Sequence, residues 1–135
     1  MVFLDTNVLI YATLQCDSRS EVARDLLAKR GLISVQVLNE FANVAHRKLR
    51  RSWPTIFQAL AAVRTLCPPP RPITVETHEL ALSIAAQIGY QLSDAMIIAS
   101  ALEAGCDTLL SEDLQDGQVI DGRLTIRNPF QGAAP

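Results

Sequence analysis

Apolar positions come in short blocks, and their spacing changes from block to block. Val2-Phe3-Leu4 is a three-residue apolar run that ends at Asp5-Thr6-Asn7, residue types that favour turns and caps. It reads as a short strand, with a short helix from Val8 to Tyr11 leaving it. Ser18-Arg19-Ser20-Glu21 has the form of a capping box opening a second helix. Val22, Ala23, Leu26 and Leu27 are its apolar face, and Gly31 ends it. Leu32-Ile33 predicts a brief second strand, and Ser34 the N-cap of a long helix. From Val35 to about Arg51, Val35, Leu38, Phe41, Ala42, Ala45 and Leu49 recur at the helical period. Ser52 and Pro54 restart a helix with Trp53, Ile56, Phe57 and Leu60 on its core face.

Cys67-Pro68-Pro69-Pro70-Arg71-Pro72 predicts an extended connection, because proline donates no backbone hydrogen bond. Ile73-Thr74-Val75 predicts a strand. A helix carrying Leu80, Ile84 and Ile88 follows and closes at Gly89. Ser93 is expected to cap the next helix, which is apolar almost all round from Ala95 to Ala104 and therefore buried. Thr108-Leu109-Leu110 and Leu124-Thr125-Ile126 are the remaining strands, separated by the turn-rich Ser111–Gly117. Residues from about 128 to 135 read as a tail. Strands alternating with helices predict a single α/β domain over 1–135, with a mainly parallel central sheet flanked by helices.

Composition narrows the function more than the fold. A 49% hydrophobic and 19% charged chain of 135 residues suits one soluble globular domain. No apolar run is long enough to span a bilayer, and the first residues lack a basic, signal-like region, so a cytoplasmic protein is expected. The three cysteines, Cys16, Cys67 and Cys106, show no metal-ligand or disulfide spacing, and buried reduced thiols are expected. With a net charge of −2 there is no global basic field, so any nucleic acid must be met by a local patch.

The candidate chemistry is acidic. In open α/β sheets, ligands bind beyond the carboxyl ends of the strands. Asp5 follows the first strand and Asp113 follows Thr108–Leu110, so both are expected at that edge. Asp94 opens the buried helix leading into Thr108–Leu110; the sequence leaves open which edge it occupies. Setting Leu38 at zero on its helix, Glu40 falls at about 200°, Arg47 at about 180° and Arg51 at about 220°, one stripe opposite the apolar face. Such a stripe would lead from the acids to flanking phosphates of a strand of nucleic acid. Crowded carboxylates repel one another, and a hard divalent cation with oxygen preference removes that conflict. Asp116 reads chiefly as a turn former before Gly117, yet with Glu112 it leaves the fourth acid open between Asp113 and Asp116. His46 has no second histidine nearby, and a nucleophilic role for Ser111 has no supporting pattern.

The segments Phe3-Leu4-Asp5-Thr6-Asn7-Val8-Leu9, Leu92-Ser93-Asp94-Ala95-Met96-Ile97-Ile98-Ala99-Ser100-Ala101 and Leu109-Leu110-Ser111-Glu112-Asp113-Leu114, with Glu40 between them, resemble the PIN-domain family. Within it they are most similar to VapC-type toxins. The resemblance covers nearly the whole chain. It implies an endoribonuclease dependent on Mg²⁺ or Mn²⁺, with Asp5, Glu40, Asp94 and Asp113 as its acids, Glu40 acting directly or through water. It also implies supporting roles for Thr6, Asn7 and Ser111, a small VapB-type antitoxin partner, and a homodimer. The alternative is a non-catalytic RNA- or partner-binding module on the same fold. A haloacid-dehalogenase-type phosphatase needs a second Asp two residues after the first, where this chain has Asn7. A phosphate-binding loop fails for want of a glycine-rich turn.

Overall fold

Parallel pairing of the chain's first and late strands sets the architecture. The computed structural model describes residues 1–131. β1 (Val2–Leu4), β2 (Thr108–Leu110), β3 (Val119–Ile120) and β4 (Leu124–Arg127) form a sheet of order β1-β2-β4-β3. β1 and β4 flank β2 in parallel, and only β3 is antiparallel. Leu32 adds a parallel bridge to the free side of β1, and Ser34 a further one to Arg71. The Leu32-Ile33 segment and the proline-rich connection thus serve as sheet-edge bridges rather than full strands. A connection without backbone donors at its prolines suits an edge.

Among the described residues, six helices flank the sheet: α1 (Thr6–Thr13), α2 (Ser20–Ala28), α3 (Val35–Arg47), α4 (Trp53–Leu66), α5 (Val75–Ile88) and α6 (Leu92–Glu103). α1 packs on α2 and α3, α4 on α3, and α5 on α6. Phe3, Leu4, Leu9, Phe41, Ile97, Ile98, Leu109 and Ile126 are fully enclosed between sheet and helices. No described helix is long and apolar enough to cross a membrane.

Local signals decided several element ends differently from the apolar pattern. Ile73-Thr74-Val75 is not a strand: Thr74 caps α5 in a reciprocal box with Thr77. Ser18 caps nothing; α2 begins behind Arg19 without a side-chain cap, and Val22 is exposed. Ser93 sits inside α6, whose N-cap is Gln91. α4 buries Ile56, Ala59 and Val63, whereas Trp53 and Phe57, expected in the core, are 47% and 64% exposed. Cys67 and Cys106 are buried free thiols, but Cys16 is exposed. The expected tail is docked as far as it is described. Phe130 is buried with its ring edge-on to Tyr11 at 5.1 Å, and residues 132–135 lie outside the described residues.

Gly31 is needed for a reason other than ending α2. Arg30 takes the left-handed conformation there, with φ of 61°. A Cβ on Gly31 would stand 2.6 Å from Leu4 Cγ, inside the core beside β1. Gly31→Ala is therefore expected to lower stability by about 1–3 kcal/mol through overpacking, read as a fall in the urea midpoint with an unchanged slope. An unchanged midpoint would show that Leu4 moves aside freely.

Candidate metal centre

The parallel register brings two sequence-distant acids to one edge. Leu4 pairs with Leu110, so the residues following each strand emerge side by side. Asp5 donates its backbone N–H to Leu110 O at 3.0 Å. Its side chain caps α1: Oδ1 accepts from the Thr6 N–H at 2.7 Å. Oδ2 accepts from Ser111 Oγ at 2.6 Å. Ser111 Oγ in turn accepts from the backbone N–H of Asp113 at 3.1 Å and of Leu114 at 3.3 Å. One buried hydroxyl thus ties β1, β2 and the Asp113 loop together.

The remaining acids reach the same edge on helices. α6 runs back along the sheet into β2, so its N-terminal turn, with Asp94, lies over the carboxyl ends of the strands. That settles the placement the sequence left open. α3 starts after the bridge to β1 and carries Glu40 in its second turn. Thr6 Oγ1 donates to Glu40 Oε2 at 3.0 Å. Asn7 Nδ2 lies 3.4 Å from Asp5 Oδ2 and 3.3 Å from Asp113 Oδ2, linking the two carboxylates. Asp5, Glu40, Asp94 and Asp113 all line one open cleft of about 470 Å³, together with Thr6, Asn7, Tyr11, Ser93 and Lys48. Among the described residues, no histidine or cysteine lines it.

The acids around Asp113 differ in what holds them. Glu112 accepts from Tyr11 Oη and pairs with Arg19 at 2.8 Å. Arg19 also pairs with Asp17 and lies 3.9 Å over the Tyr11 ring. Asp116 faces away and accepts the Asn128 N–H at 2.9 Å, so the structure leaves it outside the cleft. Glu112 also lines the cleft but is held by Arg19, so of the two cleft acids in this loop Asp113 is the one without an ion pair among the described residues.

The expected Glu40–Arg47–Arg51 stripe does not form. The buried positions of α3 are Val37, Phe41 and Ala45, so the core face is centred nearer Phe41 than Leu38. Glu40 then lies about 100° from that centre, at the flank rather than opposite. α3 ends at Arg47, and Arg50, with φ of 54°, turns the chain. Arg51 donates instead to Leu14 O at 2.8 Å. Arg47 and Arg51 line a separate shallow groove with His46 and Arg50. The cation in the acid cleft is Lys48, which sequence reasoning missed; its signal was the i, i+4, i+8 row Glu40, Val44, Lys48.

Electrostatics mark these groups as strained. Burial pushes the Asp5 carboxyl up to about 7, against the lowering effect of Ser111 and Thr6, with Glu40 and Asp113 adding repulsion. Glu40 is raised by burial and by the charge on Asp94. Asp94 is raised by burial and by Asp113. Among the described residues, no three acidic, histidine or cysteine groups stand close enough to ligate one ion directly. An all-oxygen, net-negative donor set still fits Mg²⁺ or Mn²⁺, since Mg²⁺ takes one or two carboxylates and keeps several waters.

The PIN domain family model matches residues 2–115. The chain belongs to the PIN domain family. No curated protein sequence matches it. Solved PIN-like folds do. VapC20 of Mycobacterium tuberculosis, described as a sarcin–ricin loop cleaving toxin, superposes with a TM-score of 0.67 at 23% identity over 84% of this chain and 92% of that one. A toxin–antitoxin complex from Klebsiella pneumoniae gives 0.70 at 20% identity over 96% and 98%. VapBC2 of Rickettsia felis, bound to a DNA fragment from its promoter, gives 0.67 at 19% over 95% and 98%. At such identities these likenesses concern the fold. Within this PIN domain the weight on Ser111 is testable. Ser111→Ala would orphan two backbone N–H groups and leave Asp5 Oδ2 only its longer contact to Asn7 Nδ2, in a fully buried position. A loss of roughly 2–4 kcal/mol is expected by denaturant titration; a loss below about 0.5 kcal/mol would deny the hydroxyl its organising role.

Proposed function

We propose that this PIN domain is a Mg²⁺- or Mn²⁺-dependent endoribonuclease, the toxin of a type II toxin–antitoxin pair. The observation that carries the reading is the convergence of four acids from four separate parts of the chain on one cleft, where burial and mutual repulsion raise Asp5, Glu40 and Asp94. Asp5, Asp94 and Asp113 would hold a divalent cation, which when bound would lower the pKa of an attacking water and neutralise charge on the scissile phosphate. Asp5, held by Thr6 and Ser111, is the fixed anchor. Asn7 orients Asp113. Glu40, oriented by Thr6 and with its pKa raised by burial, is suited to accept a proton from water, directly or through a second water. Lys48 offers a cation to a flanking phosphate.

The antitoxin role is supported by the toxin–antitoxin complexes among the similar folds. A partner segment bearing Arg would find its counter-charge in the carboxylate cleft. The family resemblance also implies a homodimer, which sedimentation of the pure protein reads out.

The deciding experiment incubates labelled single-stranded RNA with purified protein and Mg²⁺ or Mn²⁺, alone or with excess EDTA. Internal cleavage that disappears with EDTA is expected. Cleavage that survives EDTA rejects the metal-dependent reading. No cleavage with either ion leaves the non-catalytic binding module in its place.

A further inference from the structure

The exposed aromatic row at the α3–α4 corner is unused by the acid cleft. The His46 and Trp53 rings stack with centroids 4.3 Å apart and planes 20° from parallel, and Phe57 lies 6.3 Å beyond Trp53. Such large apolar rings are rarely left in water without a role. Around them stands a concentration of positive charge in a chain of net charge −2. Four of its 12 Lys and Arg residues are Arg47, Lys48, Arg50 and Arg51. Among the described residues none of the four makes an ion pair. His46, Arg47, Arg50 and Arg51 line one groove, while Lys48 and Leu49, between them in sequence, line the acid cleft. The two surfaces are separate but are built by this one stretch of chain.

We propose that this corner is an accessory site for single-stranded RNA, with unpaired bases stacking on the Trp53–Phe57 row and phosphates meeting Arg47, Arg50 and Arg51. Flat aromatic faces beside unneutralised cations are what a strand with splayed bases needs. A duplex hides its base faces and gains only the phosphate contacts. A second copy of this net-negative chain, docking its apolar surface here, would strip water from four cations without neutralising them. The site rests on the ribonuclease reading for its substrate. It adds a hold on nucleotides flanking the scissile bond, along the route from Lys48 to Trp53.

Trp53 is the chain's single tryptophan, so its fluorescence reports this corner alone. In EDTA, where no cutting is expected, a short oligouridylate should quench that emission saturably, and a duplex of equal length should quench it far less. Trp53→Ala and Phe57→Ala, both at exposed positions and checked for folding by circular dichroism, should each weaken binding of end-labelled oligouridylate about tenfold. Arg47→Ala with Arg50→Ala should flatten its salt dependence. Binding without quenching, or unchanged affinity in both aromatic variants, overturns the site. A dimer in sedimentation that Trp53→Ala dissociates, with no RNA quenching, overturns it in favour of a second copy. RNA that quenches Trp53 but is never cut with Mg²⁺ or Mn²⁺ upholds this site and rejects the nuclease reading. RNA that is cut without quenching does the reverse.

Discussion

Asp94→Asn is expected to slow RNA cleavage by roughly a thousandfold while leaving the ion-free protein folded and at least as stable as the wild type. Asp94 is half-buried at the start of α6, and the charge on Asp113 raises its pKa. The amide keeps the shape and removes one of the repelling charges, so the ion-free fold loses a conflict. What disappears is an anionic oxygen for a divalent cation. The measurement is single-turnover cleavage at saturating RNA, with thermal unfolding in EDTA alongside. Asp116→Asn is the control: that carboxylate is tied to the Asn128 N–H, so its variant should cut normally. Wild-type turnover in Asp94→Asn would remove Asp94 from the site. A collapse of the fold would mean its role is structural.

The second large effect is on stability against pH. Asp5 is 4% exposed, with its carboxyl near 7 in the fold against an ordinary value of 3.8. Folding thus favours its protonated form. Below the unfolded value the contribution is fully present; it is lost as pH rises, and is gone above about 7. The difference of about three units corresponds to on the order of 4 kcal/mol. In EDTA the melting temperature should therefore fall between about pH 4 and pH 7. Mg²⁺ should raise it far more at the upper end, where the carboxylates are charged and ion binding adds directly to stability. A flat profile in EDTA would mean that Asp5 is not the strained group described. Equal Mg²⁺ effects at both ends would mean that the ion binds elsewhere.

Much of the site was legible because its residues are fixed by short local rules. A strand followed by a turn-forming acid located Asp5, and the apolar α6 pattern located Asp94 on a buried helix. The edge on which Asp94 stands was not legible, because it depends on how α6 packs against β2. The same limit hid the Ser111–Asp5 bond, whose partners meet only through parallel pairing. Errors arose where two local signals competed. Ile73-Thr74-Val75 has strand-forming side chains, but Thr74 and Thr77 satisfy each other's backbone as a cap. Trp53 and Phe57 repeat at a core-like spacing, yet Ile56, Ala59 and Val63 fill the space against the body. Arg51 is off the Glu40 stripe because a periodic pattern carries no mark of the turn at Arg50.

The bond between Ser111 and Asp5 joins positions 106 residues apart. Contacts of such separation form late, because the intervening chain must first be drawn into place. During synthesis on a ribosome, Asp5 emerges early and waits for β2. A nascent or prematurely ended polypeptide therefore carries the first acid without the geometry that makes it useful. Competence arrives all at once, when β2 and the Ser111 loop have emerged.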